Sequence, residues 1–134
     1  MILSESAIVE WCAMGPNAAQ IDRWLEGGHV AAPDVMNVLL HVPDAGNRRR
    51  RFLEDLRGLG VTIEAFGYDD VRASVSPALS GASPPAGVDL ASIRYALALA
   101  KKRSQDVAVV AGGHLVCLRI TGDEITACEV DQTS

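Results

Sequence analysis

The chain has 134 residues, enough for one compact domain with a sizeable core. Its net charge of −5 excludes a global attraction to nucleic acid or anionic membranes, so any such binding has to come from a local patch. With 49% hydrophobic but only 4% aromatic residues, the core has to be built from Leu, Val, Ile and Ala, as in helices packed on a sheet. Three cysteines, Cys12, Cys117 and Cys128, are odd in number and lack metal-ligand spacing, and they read as reduced thiols of a cytoplasmic protein. No signal-type apolar run opens the chain and no stretch approaches transmembrane length, so no membrane association is expected.

Ile2 and Leu3 begin a short buried strand, and Ser6 is placed to cap a helix suggested by Ala7, Ile8, Val9 and Trp11. Gly15-Pro16-Asn17 breaks that helix and starts a second, whose face is Ile21, Trp24 and Leu25 and whose end is Gly27-Gly28. Val30-Ala31-Ala32-Pro33 reads as an extended link, after which Asp34 caps a third helix that Pro43 stops. Residues 47–58 read as a fourth helix with Phe52, Leu53, Leu56 and Leu59 on or near its inner face. Its first turn holds Arg48, Arg49, Arg50 and Arg51, the wrong end of the helix dipole for four positive charges. Arg50 with Glu54 and Arg51 with Asp55 are possible partners one turn apart, and the run is a candidate phosphate-binding or partner surface; the alternative is a solvated face.

Val61 to Ala65 reads as a second strand, and Tyr68-Asp69-Asp70 leads into a fifth helix through Val75. Residues 76–87, rich in proline and glycine, form a loop. Asp89 caps a helix with Leu90, Ile93 and Leu97 at helical spacing, closed by Lys101, Lys102 and Arg103 where the dipole favours them. Val107 to Ala111 is a central strand covered on both faces. Residues 115–121 are compatible with a strand or a short helix, and residues 125–130 with a last strand. This order predicts a single α/β domain over residues 1–134, a three-layer sandwich with a short, mostly parallel central sheet flanked by helices. In such sheets the site lies outside the carboxyl ends of the strands, which brings Ser4-Glu5 near Gly112-Gly113-His114.

Four motifs, in order along nearly the whole chain, resemble PIN domains, above all VapC-type toxins. They are Met1-Ile2-Leu3-Ser4-Glu5-Ser6-Ala7 for a strand ending in Asp-Thr/Ala-Ser-Ala, and Val30-Ala31-Ala32-Pro33-Asp34-Val35-Met36-Asn37-Val38-Leu39 for a V-A-P segment leading to an acidic helix. Ser92-Ile93-Arg94-Tyr95-Ala96-Leu97-Ala98-Leu99-Ala100 stands for D-A-L-Y-L-A-L-A, and Ala111-Gly112-Gly113-His114-Leu115 for T-A-D-x-x-L. The resemblance implies a PIN-like fold and a ribonuclease whose clustered carboxylates hold Mg²⁺ or Mn²⁺, hard cations that want anionic oxygen ligands. The family's acidic positions fall here on Ser4, Asp34, Ser92 and Gly113, of which only Asp34 is acidic. Glu5 and Asp89 are candidate substitutes, so that Glu5, Asp34 and Asp89 form a possible relocated metal trio.

The expectation is therefore a degenerate nuclease, a pseudoenzyme that binds or regulates and needs no cofactor. RNA, through Arg48 to Arg51, or an antitoxin-like protein are its candidate partners, and the resemblance implies a homodimer. Two alternatives are an active Mg²⁺- or Mn²⁺-dependent endoribonuclease with relocated ligands and a structural partner of an intact PIN protein. Other chemistries have no motif: His29, His41 and His114 are scattered, Gly112-Gly113 lacks the Lys-Ser/Thr of a phosphate loop, and neither Ser4 nor Ser6 sits in G-x-S-x-G. Cys12, on a helix face expected to be buried, reads as an inert thiol.

Overall fold

The computed structural model describes residues 1–42, 48–74, 87–122 and 124–128. Six strands form one sheet: β1 (Ile2–Leu3), β2 (His29–Ala31), β3 (Thr62–Glu64), β4 (Val107–Ala111), β5 (His114–Thr121) and β6 (Glu124–Cys128). Their order is β3-β2-β1-β4-β5-β6. The first four run parallel, whereas β5 and β6 are antiparallel additions, so the sheet is mixed and not mostly parallel as expected. The cause is local. Gly112 and Gly113 have φ of 58° and 79°, and Ala111 pairs directly with His114 across them. Two consecutive left-handed residues make the tight hairpin turn whose twist suits antiparallel strands, and a parallel neighbour would need a long crossover instead. Residues 115–121 thereby resolve as strand.

Side chains alternate across the strands and divide the core in two. Leu3, Val30 and Ala108 face one side, where they meet Ile8, Ile21, Val38 and Leu56. These come from α1 (Glu5–Cys12), α2 (Ala18–Leu25), α3 (Ala32–His41) and α4 (Arg48–Gly58). Ile2, Ala31, Val107 and Leu118 face the other side and meet Ile93, Leu97 and Ala100. The helix there, α6 (Arg94–Arg103), packs on the sheet and against α5 (Tyr68–Ser74). Five consecutive residues of α6, Ala96 to Ala100, are buried, which is why Leu99 widens its apolar face. Arg103 and Lys102, at its end, reach the carboxylates of Glu64 on β3 (2.5 Å) and Asp70 on α5 (3.4 Å). Glu64 also holds Nδ1 of His29 at 2.9 Å, so one buried carboxylate ties β2, β3 and α6.

Several helix starts differ from expectation. Residues 29–31 are a strand of the parallel sheet and not a link, because Val30 and Ala31 each serve one core. Consequently α3 starts at Ala32, with Pro33 in its first turn, where a missing N–H costs nothing. Asp34 is thus inside the first turn and does not cap it. Ser6 lies inside α1, and its hydroxyl accepts the Val110 N–H of β4 instead of capping. Asp89 does cap, accepting from Ala91 N at 3.1 Å, but the turn it opens is a 3₁₀ helix, Leu90–Ile93, ahead of α6. Of the two ion pairs expected on α4, Arg50–Glu54 forms at 3.5 Å; among the described residues Arg51–Asp55 does not. Pro43, Asn47, Val75, Val130 and residues 76–86 lie outside the described residues.

The cysteines depart from the expectation of three reduced thiols. The β5–β6 register sets Cys117 opposite Cys128 with Cα atoms 5.2 Å apart, inside the range a disulfide spans, and the two are bonded. That register is invisible in the spacing alone. Cys12 is the free thiol, exposed at the end of α1 and not on a buried face. Desolvation and then the Asp55 charge push its pKa up to about 11, so it stays a protonated, unreactive thiol at neutral pH.

Thiol counting under denaturing conditions therefore gives one reactive cysteine before reduction and three after. Reduction should lower unfolding stability by about 2–3 kcal/mol, the loop-closure value for the 11-residue separation, and a Cys117→Ala/Cys128→Ala chain should lose its sensitivity to reductant.

Candidate functional site

The parallel strands end on a cleft of about 410 Å³ between the start of α1 and the 3₁₀ turn before α6. Glu5, Ser6 and Glu10 line it from α1, with Ser92 and Ile93 opposite. Ser4, the last residue before α1, is fully buried, and its Oγ lies 2.9 Å from that of Ser6. Ser6 Oγ in turn accepts the Val110 backbone N–H at 3.0 Å. This chain of hydroxyls ties the start of α1 to β4. Removing it would leave the partly buried Val110 N–H without this partner, a loss of about 1 kcal/mol.

Asp34 reaches the same region from α3 and is 1% exposed. Burial and then the nearby Glu5 charge push its carboxyl up to about 7, with Arg94 partly offsetting them. Glu5 and Asp34 are thus brought together, as two of the three relocated ligands require. Asp89 is not: its carboxylate caps Ala91 N. Arg94, the nearest cation, is held by the Ala91 carbonyl (2.7 Å) and stacks over the Tyr95 ring at 4.5 Å.

The remaining family positions carry no ligand. Ser92 Oγ donates to the Asp89 carbonyl at 2.6 Å. Gly113 sits in the β4–β5 turn, offers no side chain, and accepts Asn17 Nδ2 on its carbonyl at 3.1 Å. Asn17 also donates to Glu10 Oε2 at 2.5 Å. Glu10 is the cleft residue that the sequence reading missed. The signal was present: Ser6, Glu10 and Ala13 recur at helical spacing along α1, which puts them on one face. Gly15 accommodates it, since a Cβ there would lie 2.6 Å from Glu10 Oε1.

A Mg²⁺ or Mn²⁺ ion prefers several ionised oxygens on accessible side chains. Here Ser4 is buried with its hydroxyl engaged, Asp34 is buried with its carboxyl raised to about 7, Ser92 is a committed donor and Gly113 is bare. Glu5 and Glu10 are the carboxylates in the cleft lining, and Asn17 holds Glu10, so the residues present do not make the set of free anionic oxygens such an ion needs. Elsewhere among the described residues one group has suitable donors, Asp106, Cys117 and Cys128. Its sulfurs are bonded to each other, and the Asp106 carboxylate takes a two-pronged ion pair from Arg119 at 3.0 Å.

The arginine run is not one surface. Arg49 Nε donates to the Val42 carbonyl at 3.2 Å and Arg50 pairs with Glu54, whereas Arg48 and Arg51 turn into a depression beside Trp11 and Phe52. His114 is exposed at the start of β5. No protein-family model matches the chain, and no curated protein matches its sequence.

A carboxyl whose folded pKa exceeds the unfolded value of about 4 is favoured by folding in its protonated form. Stability contributed by Asp34 is therefore highest below about pH 4, falls as pH rises through the window to about 7, and is level above it, by at most about 4 kcal/mol. Asp34→Asn should accordingly stabilise the chain more at about pH 8 than at about pH 4 in denaturant melts. A ¹³C NMR titration should place the Asp34 midpoint at about 7, lowered by Glu5→Gln and raised by Arg94→Gln; a midpoint near 4 would refute the burial account.

Proposed function

We propose that this chain is a PIN-like domain, resembling VapC toxins, that has lost metal-dependent RNA cleavage and acts as a binding or regulatory protein. The four ordered motifs support the family reading. The observation that carries the loss of chemistry is Ser4: where the first metal-binding acid would stand there is a fully buried hydroxyl engaged with Ser6. A neutral oxygen held in this way neither neutralises a cation nor lowers the pKa of its water.

Electrostatics favours a protein partner over RNA. Glu5 and Glu10 line the cleft, and without a cation to neutralise them they repel a phosphate backbone. The chain carries a net charge of −5, and two of the four arginines are already engaged. Homodimerisation belongs to the same reading. Met36 and Leu40, one turn apart on the outer side of α3, are 60% and 72% exposed, an apolar pair that a second copy would cover. Pairing with an intact PIN protein is a form of the same role. No helix among the described residues is long and apolar enough to cross a membrane.

Folded protein incubated with structured and single-stranded RNA should show no cleavage that depends on Mg²⁺ or Mn²⁺. Cleavage abolished both by EDTA and by Glu5→Ala/Asp34→Ala would contradict this reading and establish relocated ligands.

A further inference from the structure

The arginines not engaged elsewhere face a groove that the degenerate cleft does not use. It holds about 620 Å³ between the end of α1, the end of α3 and the start of α4. Trp11 and Phe52 form its aromatic wall, their rings 6.2 Å apart and inclined at 52°. Trp11 is fixed by its indole N–H, which donates to Asp22 Oδ1 at 3.1 Å. Val38, Val42 and Met14 supply aliphatic surface.

Arg48 and Arg51 stand three residues apart on α4, hence on one face, and both line the groove. Among the described residues no hydrogen bond or ion pair holds either of them. Among the described residues Asp55 and His41 are the other titratable groups of the lining besides the Cys12 thiol, so two guanidinium charges there stand against one carboxylate. Two unengaged guanidinium groups one turn apart can grip a compact oxyanion with several directed N–H donors. The volume falls in the range of about 300–1,000 Å³ typical of pockets for small ligands, with apolar walls and few polar groups.

We infer that this groove is a binding site for a small amphiphilic anion, its flat apolar body against Trp11 and Phe52 and its phosphate or carboxylate head on Arg48 and Arg51. This assignment does not depend on the fate of the nuclease cleft. It also accounts for the arginine run, which opposes the helix dipole: two members anchor α4 locally, and the other two present charge to the groove.

The probe is 1-naphthyl phosphate, titrated into the whole chain while the indole N–H of Trp11 is followed by ¹H–¹⁵N NMR. The expected result is a saturable shift of that resonance. Arg48→Gln/Arg51→Gln should weaken binding at least about tenfold, while Arg49→Gln/Arg50→Gln, which removes the same charge, should leave it within about twofold. With 1-naphthol or inorganic phosphate, each carrying half of the chemistry, binding should be at least about tenfold weaker. The assignment fails if well-dispersed spectra show no saturable shift. It fails equally if the two double variants lose the same affinity, or if inorganic phosphate binds as tightly as the probe. Displacement of the probe by an acidic amphipathic peptide or a short RNA at far lower concentration would overturn it in favour of a macromolecular occupant.

Discussion

Two residues, Ile2 and Leu3, hold the two halves of this molecule in place. β1 is the inner strand on which β2 and β4 pair, and each of its side chains points into a different core: Ile2 meets α6 and Leu3 meets the helices of the opposite face. Full burial of an aliphatic side chain is worth about 1.5–3 kcal/mol, so this strand fixes both layers with very little chain. The parallel pairing of β1 also decides where the site lies, because Ser4 is the residue at which the strand gives way to α1.

That junction explains why the cleft looks polar and still has little metal chemistry in it. Leaving the sheet at Ser4 forces the backbone of β4 to find a partner, and Ser6 supplies it by accepting the Val110 N–H. Ser4 is buried against the same hydroxyl. A carboxylate in place of Ser4 would be buried next to Glu5 in sequence, and burial and like charge both oppose ionisation. Asp34 already shows this effect, since its carboxyl is raised to about 7 by burial and by Glu5. Of the four positions that the resemblance marks, Ser4 and Asp34 are here buried in the packing around α1 and α3, whereas Ser92 and Gly113 lie exposed in turns. Ionised charge sits further out, on Glu10 held by Asn17 and on the arginines of α4.

Much of the fold is legible in the sequence because its physics is local. Val107 to Ala111 can only be a buried strand, and the KKR end of α6 follows the helix dipole. What escaped depends on pairing across the chain. Gly112-Gly113 reads as a strand end until both glycines are seen at positive φ, where they turn β5 back and make the sheet mixed. The partnership of Cys117 and Cys128 needs the β5–β6 register, which no spacing reveals. Asp34 reads as a cap because Pro33 precedes it, yet Ala31 is claimed by the sheet, so the helix begins earlier and turns Asp34 inward. For the candidate site, the pairing of Glu5 with Asp34 is suggested only by the resemblance, because residues 30–33 read as a link and not as a strand. The role of Glu10 and the division of the arginine run could not be foreseen, since both depend on which side chains are already engaged.

The central claim is that the buried Asp34 carboxyl beside Glu5 is raised to about 7 and that the cleft has no ion-binding set. The measurement that tests it most directly is the Asp34 carboxyl titration repeated with and without excess Mg²⁺ or Mg²⁺ replaced by Zn²⁺ as a tighter-binding probe. The account predicts a midpoint that stays at about 7 in all conditions, because no cation reaches Asp34. A midpoint that falls steeply when the metal is added would mean that Asp34 ligates it, and the cleft would then have to be read as a working metal site.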